Sequence, residues 1–155
     1  MASKILATYE AGITATITLG ALANGAGRIC TVIDNTVTRA SMALIWLQVT
    51  MSDHAPTANT PIKLYLIRHS EMATHLVDNG LGEADAAVAT EPTQAECLGS
   101  IIVPATADLV HVKSFVAYDL SPKYSFVVWN ATGQHIDEVD AGHILQVVPV
   151  TPEAQ

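Results

Sequence analysis

The chain has 155 residues, of which 50% are hydrophobic and 14% are charged, and its net charge is -8. This length suits one domain with a substantial core, so we predict a single domain over residues 1–155. Charged residues are scarcer than the roughly 25% of an average globular chain, which favours burial of additional surface in an assembly. Lys and Arg together number only 7, which argues against nucleic acid as a partner because phosphates need cations to neutralise them. No apolar run reaches the roughly 18 residues of a membrane-spanning helix, so we expect no membrane partner either.

The N-terminal third begins with a segment whose role the sequence leaves open. Residues 1–11 contain the apolar run from Lys4 to Tyr9, which suits either an arm that reaches a partner or an edge strand of the same domain. From Ile13 to Leu19, apolar residues alternate with threonines, which is typical of a strand with one wet face. Gly20 to Gly27 contains an Asn-Gly step and predicts a turn.

The run from Met42 to Met51 predicts a strand that is apolar on both faces. Met42, Leu44 and Trp46 share one face, and Ala43, Ile45, Leu47, Val49 and Met51 share the other. A half-exposed strand alternates polar with apolar residues, so we expect both faces of this strand to be covered. A second layer of the domain would cover one face, and the long segment Ser70 to Thr93 or a neighbouring subunit would cover the other. We therefore expect Trp46, like Trp129, in the core.

The remaining chain predicts further strands and little helix. A helical turn is expected within Glu83 to Ala89, and residues 151–155 form a polar tail. Counting all segments, we predict an all-β protein, an antiparallel β-sandwich of jelly-roll-like type with about eight strands. The later strands are Ile62 to His69, Leu98 to Val103, Val110 to Tyr118, Tyr124 to Trp129 and Ile144 to Val150.

Catalytic motifs are missing from the sequence. No serine lies in a G-x-S-x-G context, and the glycine-rich Gly20 to Gly27 lacks the Lys and Ser or Thr of a phosphate loop. Cys30 and Cys97 are far apart and form no CxxC, so free buried thiols are favoured over a disulfide. We predict that the chain is not an enzyme and uses no cofactor.

Two acidic segments are candidates for a cation site. His135 to His143 and Asp78 to Asp85 both gather carboxylates, which hard cations prefer. His135 to His143 does not follow the order of an EF-hand loop, whereas Asp78 to Asp85 resembles half of a calcium loop. Turns between strands explain both compositions better. We predict no metal site.

Several short phrases lie in a familiar order along the chain. They are Ala7–Tyr9 (ATY), Asp34–Thr36 (DNT), Leu64–Arg68 (LYLIR), Leu98–Ala105 (LGSIIVPA) and Ser121–Gly133 (SPKYSFVVWNATG). This layout resembles a family of small virion structural proteins of tailed bacteriophages. The resemblance implies a β-sandwich that sits on a capsid or tail in many copies, and it carries over no site residues.

From the resemblance and the composition we expect a capsid decoration or cement protein that binds the shell exterior and bridges neighbouring subunits. Its partners would be the major capsid protein or other virion proteins, with homo-oligomers, and its location the virion. The alternatives are a neck or tail adaptor or fibre-anchoring component, and, in another class, a glycan- or calcium-dependent host-binding module. The residues expected at the interface are Lys4, Ile5, Leu6, Tyr9, Leu44, Trp46, Val148 and Val150.

Overall fold

The structure is a computed structural model that describes residues 5–69 and 81–154; at positions 5, 6, 153 and 154 it describes the backbone alone. The described chain is all β apart from one 3-10 turn at Asp140–Gly142. The strands are β1 (Ile5–Tyr9), β2 (Ile13–Thr14), β3 (Ala26–Ile29), β4 (Ile33–Asp34), β5 (Met42–Thr50), β6 (Thr60–His69), β7 (Ala86–Val88), β8 (Glu96–Val103), β9 (Val110–Tyr118), β10 (Lys123–Asn130) and β11 (Ile144–Ala154).

Two antiparallel sheets pack against each other, which confirms the predicted sandwich. Sheet A has the order β1-β11-β5-β9, with β2 also pairing β11, and sheet B has the order β7-β3-β10-β6-β8, with β4 also pairing β10. From β8 onward the chain changes sheet at every connection, as a jelly-roll-like sandwich requires. More strands are present than the predicted number because β4 and β7 have only two or three residues, too few to give a period-2 signal. The predicted strand Ile13 to Leu19 is wrong over residues 15–19, since only Ile13–Thr14 forms a strand, β2, paired with β11. At Thr16 the backbone turns to the β3–β4 connection instead, where its carbonyl oxygen accepts from the Thr31 N–H at 2.9 Å.

The main core lies between the two sheets. β5 runs centrally in sheet A between β11 and β9, and its residues Ala43, Ile45, Leu47 and Val49 are all buried. Sheet B supplies the opposite layer, in which Leu64, Tyr124, Phe126 and Val128 are buried in the same cluster. The prediction that this face of Met42 to Met51 is a core face is therefore confirmed.

Both faces are buried in β10 and in the central part of β6, but not in β5. Every residue from Tyr124 to Asn130 is buried, because a second apolar cluster covers the outer face of sheet B. Trp129 belongs to this second cluster, which confirms its predicted burial. The cluster comprises Ile29, Tyr65, Ile67, Val88, Val127 and Trp129, with Leu81, Ala86, Ala95 and Ala131 packed on it.

Both ends of the described chain belong to sheet A. β1 pairs antiparallel with β11 in a register that places Ile5 opposite Ala154 and Tyr9 opposite Val150. The segment Ile5–Tyr9 is thus an edge strand of its own sandwich, the second of the two roles that the sequence left open. Within the predicted polar tail, the backbone of Thr151–Ala154 continues β11 and finds hydrogen-bond partners in β1.

One buried amide joins the end of β10 to the loops around it. The Nδ2 group of Asn130 donates to the carbonyl oxygens of Leu22 and Gln134 at 2.9 and 2.8 Å. Its Oδ1 atom accepts from the backbone N–H and the hydroxyl of Thr132 at 3.1 and 2.7 Å. Asn130 is fully buried, so each of these bonds replaces water that the site excludes.

Replacing this amide by a carboxylate should destabilise the fold. Asn130→Asp keeps the size of the side chain but removes both donors and buries a charge, so we expect a loss of about 2–4 kcal/mol in the free energy of unfolding. Asn24→Asp is the matched control, since the exposed Asn24 uses only its Oδ1, which accepts from the Gly133 N–H at 2.9 Å. Urea denaturation measures both variants, and equal effects would contradict the assignment.

Candidate interaction surface

The outer face of sheet A carries the candidate site. Alternate residues of a strand point to the same side of a sheet. The β5 residues that alternate with the buried ones therefore point to the opposite, outward side of sheet A. The strand register extends that face across β1, β11, β5 and β9. We call it the outer face; it comprises Tyr9, Met42, Leu44, Trp46, Gln48, Thr50, Val110, Val112, Ser114, Val116, Tyr118, Ile144, Gln146, Val148 and Val150.

None of these side chains is charged. The register arranges them in rows, with Leu44 between Val148 and Val116, and Trp46 between Gln146 and Ser114. Acidic residues first appear just beyond the strand ends, at Glu10, Asp108 and Asp119. An apolar centre with a polar margin is the arrangement of a protein interface.

Large apolar side chains are exposed on this face. Trp46 is 53% exposed and Tyr118 is 57% exposed, and Val110, Val112 and Val116 are exposed beside them on β9. Contiguous exposed apolar surface on a single chain marks a site of interaction or a ligand groove. The outer face therefore offers surface that gains free energy when a partner covers it.

The prediction that Trp46 lies in the core is wrong. The indole is on the outward side of β5, and the opposite side of the strand fills the core. The sequence pattern did not separate a face covered by the same chain from a face open to a partner, because both are apolar. Trp46 was nevertheless among the expected interface residues, and the structure places it near the centre of the exposed face.

The other expected interface residues divide into three groups. Tyr9 is exposed on the outer face, with Leu44 and Val148 half-buried in adjacent strands. Val150 is only 3% exposed, so its side chain is not an open contact; in the register it lies between Tyr9 and Met42. Lys4 lies outside the described residues, and Ile5 and Leu6 are described only as backbone of β1.

Sequence reasoning missed the contribution of β9. Val110, Val112, Val116 and Tyr118 are all exposed and share the outer face with Trp46. The alternation in this strand signals two unlike faces, with Phe115 and Ala117 buried and the residues between them outward. Because the outward residues are also apolar, the pattern indicated a strand without indicating which side faces solvent.

The described part of the long 70–93 segment covers sheet B and leaves β5 uncovered. This corrects the expectation that it covers the second face of β5; residues 70–80 lie outside the described chain. Instead of a helical turn, Ala86–Val88 forms β7, which pairs with β3. Leu81 and Ala86 pack on the cluster around Tyr65 and Trp129.

Two ion pairs hold this covering segment in place. Arg28 Nε lies 2.5 Å from Asp85 Oδ1, and Asp85 also accepts from the backbone N–H of Thr18 at 3.0 Å. Burial raises the pKa of Asp85, but the hydrogen bonds from Arg28 and Thr18 outweigh it and leave that pKa below its usual value.

The second pair is formed by Lys63 Nζ and Glu91 Oε1 at 2.6 Å, and the hydroxyl of Tyr65 donates to the same carboxylate. Hydrogen bonds from Lys63 and Tyr65 lower the pKa of Glu91.

One concave site of the described chain lacks a catalytic set. A cavity of about 430 Å³ is lined by Asn35, Thr36, Arg39, Ala40, Ser41, Leu120 and Pro122. Its buried amide, Asn35, is occupied by the backbone of Ala40 and by the carbonyl of Ser121, so it holds the loop rather than a ligand. This lining offers a single charged group, Arg39, and neither a nucleophile beside a base nor a pair of carboxylates.

Residues 5–69 and 81–154 offer few side chains for metal binding or for thiol chemistry. No group of three or more His, Cys, Asp or Glu side chains there is arranged to hold a metal ion. In the acidic loop before β11, Asp140 accepts from the Gly20 N–H at 2.5 Å and His143 Nε2 lies 3.0 Å from the Asp137 carbonyl oxygen, so these side chains serve the loop. Cys30 and Cys97 are both free, as predicted, but the expectation that both thiols are buried is wrong for Cys97, which is exposed. Burial raises the pKa of Cys30 to about 12.

No family model matches this chain, and no curated protein matches it. Within the described residues, no helix has the length and apolar character needed to cross a membrane.

One histidine on β9 should make stability depend on pH. Burial lowers the pKa of His111 below its usual 6.5, and its Nε2 atom has no hydrogen-bond partner among the described residues. A group with a lowered pKa in the folded state stabilises the fold above its unfolded pKa and ceases to do so as the pH falls. We expect the free energy of unfolding to decline below about pH 6.5.

The decline should be smaller in His111→Gln, measured by urea denaturation between neutral pH and the onset of carboxylate protonation. Val112→Gln introduces the same side chain on the exposed face and should keep the wild-type slope. An unchanged slope in His111→Gln would show that another group titrates.

Proposed function

We propose that this chain is a structural protein of a tailed-phage particle, a decoration or cement protein that binds the capsid exterior through the outer face. The single observation that carries the proposal is the uncharged, apolar and exposed outer face of sheet A. The family resemblance of the sequence supports the choice of a virion partner.

The physical basis is burial of this face against the major capsid protein or another virion protein. Exposed Trp46 lies near the centre of the face, where aromatic side chains contribute most to binding energy. Paired strands of one sheet form this face, so its backbone is ordered before binding, which lowers the entropy lost on binding. Contacts of modest strength, repeated over many copies on a shell, add up to firm attachment and reinforcement.

Substituting Trp46 should abolish attachment to shells. Trp46→Glu places a charge in the centre of the outer face, and we expect affinity for purified shells of the cognate phage to fall at least about thirtyfold, as for a central aromatic contact. Val37→Glu is the matched control, since Val37 is 92% exposed and belongs to none of the strands of the outer face. Co-sedimentation with shells measures both variants.

Two outcomes would reject this proposal. Wild-type binding by Trp46→Glu would show that another surface docks, and failure of the wild-type chain to bind either shells or tails would remove the virion role. Imaging of decorated particles separates the positions: copies at the local symmetry axes of the shell identify a cement protein, whereas a ring on the tail axis identifies the adaptor alternative.

A glycan-binding module is the second candidate, because Trp46 is exposed rather than buried. The register places Gln146 and Ser114 on either side of the indole, so an aromatic platform adjoins amide and hydroxyl groups that sugars use. Screening of the purified chain on a glycan array tests this candidate. Saturable binding that Trp46→Glu removes would favour it over the shell-binding role, and no binding to any glycan would eliminate it.

A further inference from the structure

β9 is a long edge strand with a free side. It spans nine residues and pairs with β5 without a register shift, and in the described chain no strand pairs with its other side. An edge strand turns alternate N–H and C=O groups away from its sheet, where they can pair with another strand. Natural sheets protect such edges with prolines, bulges or charges, and β9 has only one such residue, Lys113.

Lys113 is directed away from the outer face. It stands on the same side of β9 as Phe115, and its Nζ atom lies 5.5 Å from the centre of that ring. The ammonium group also donates to the carbonyl oxygen of Ser100 in β8 at 2.6 Å. The exposed Lys113 side chain therefore reaches from β9 to β8 of its own sandwich, and the β9 residues on the outer face remain uncharged.

The sequence of β9 is self-complementary when two copies run antiparallel. We propose that β9 pairs with β9 of a second copy about a two-fold axis at Ser114. In this register Val110 stands opposite Tyr118 and Val112 stands opposite Val116, so apolar side chains meet across the axis on the outer face. Opposed pairs of this kind are the stabilising units of a sheet.

The charge of Lys113 favours this register over the neighbouring registers. With the axis at Ser114, Lys113 of one copy faces Phe115 of the other, and all nine residues of each strand are paired. Moving the axis to Lys113 would oppose two ammonium groups, and moving it further in either direction leaves residues unpaired. If one strand shifted by one residue relative to the other, side chains of the outer face would stand opposite side chains that point to the other side of the sheet.

The pairing would join two sheets A into one continuous sheet. The two-fold axis runs perpendicular to the sheet, so both outer faces lie on the same side and the apolar surface around Trp46 is doubled. A closed isologous pair of this kind consumes both free edges and does not propagate into fibres. The inference does not rest on the proposed function, since it concerns the purified chain alone.

The test introduces opposite charges at Ser114, the residue on the axis. Sedimentation of the full chain from micromolar to near-millimolar concentration measures how much dimer forms. The wild-type chain should form a dimer. Ser114→Lys and Ser114→Glu each oppose like charges at the axis, so each should weaken the dimer at least about tenfold. An equimolar mixture of the two variants should restore a heterodimer at least as tight as the wild-type dimer.

Three controls make the outcomes decisive. Ser41→Lys and Ser41→Glu change an exposed serine outside β9 and should leave the dimer intact. Trp46→Glu alters the outer face one strand away from the edge, so an edge-paired dimer should survive it and a face-to-face dimer should not. A chain that stays monomeric throughout, or a dimer that the Ser114 charges do not affect, would overturn the proposal.

Discussion

The unequal covering of the two sheets is the constraint on which the rest of the structure depends. Each sheet contributes one face to the central core, so each has a second face to account for. The segment around β7 covers the second face of sheet B. The ion pairs Arg28–Asp85 and Lys63–Glu91 fix this segment to the sheet. Within the described chain, sheet A has no such cover, and Trp46 remains exposed in the middle of its outer face.

The covering of sheet B combines apolar burial with ion pairs at its margin. Tyr65 illustrates the combination, because its ring packs in the second cluster while its hydroxyl donates to Glu91. Ion pairs at a partly exposed site contribute little net energy, so their role is to orient the segment whose apolar residues supply the stabilisation. The outer face of sheet A has a similar layout, with exposed apolar side chains in the centre and charged residues beyond the strand ends.

A chain with few charges and two apolar sheet faces is suited to assembly. The outer face provides a broad contact surface, and the free edge of β9 provides backbone groups for strand pairing. These two features are physically independent, because one is a property of side chains and the other of the main chain. Both lie on the side of the domain where tyrosine, tryptophan and valine side chains are exposed.

The sequence by itself determined the fold class and most strands, since β-branched runs with period 2 separated by Gly, Pro and Asn leave few alternatives. It identified β5 as central and Leu44 and Trp46 as interface candidates. Only the tertiary structure decided which apolar faces are buried: Trp129 and Trp46 both lie in apolar strands, yet one is buried and the other exposed. That outcome depends on where residues 81–93 fold back, and a long-range contact of this kind leaves no trace in local periodicity.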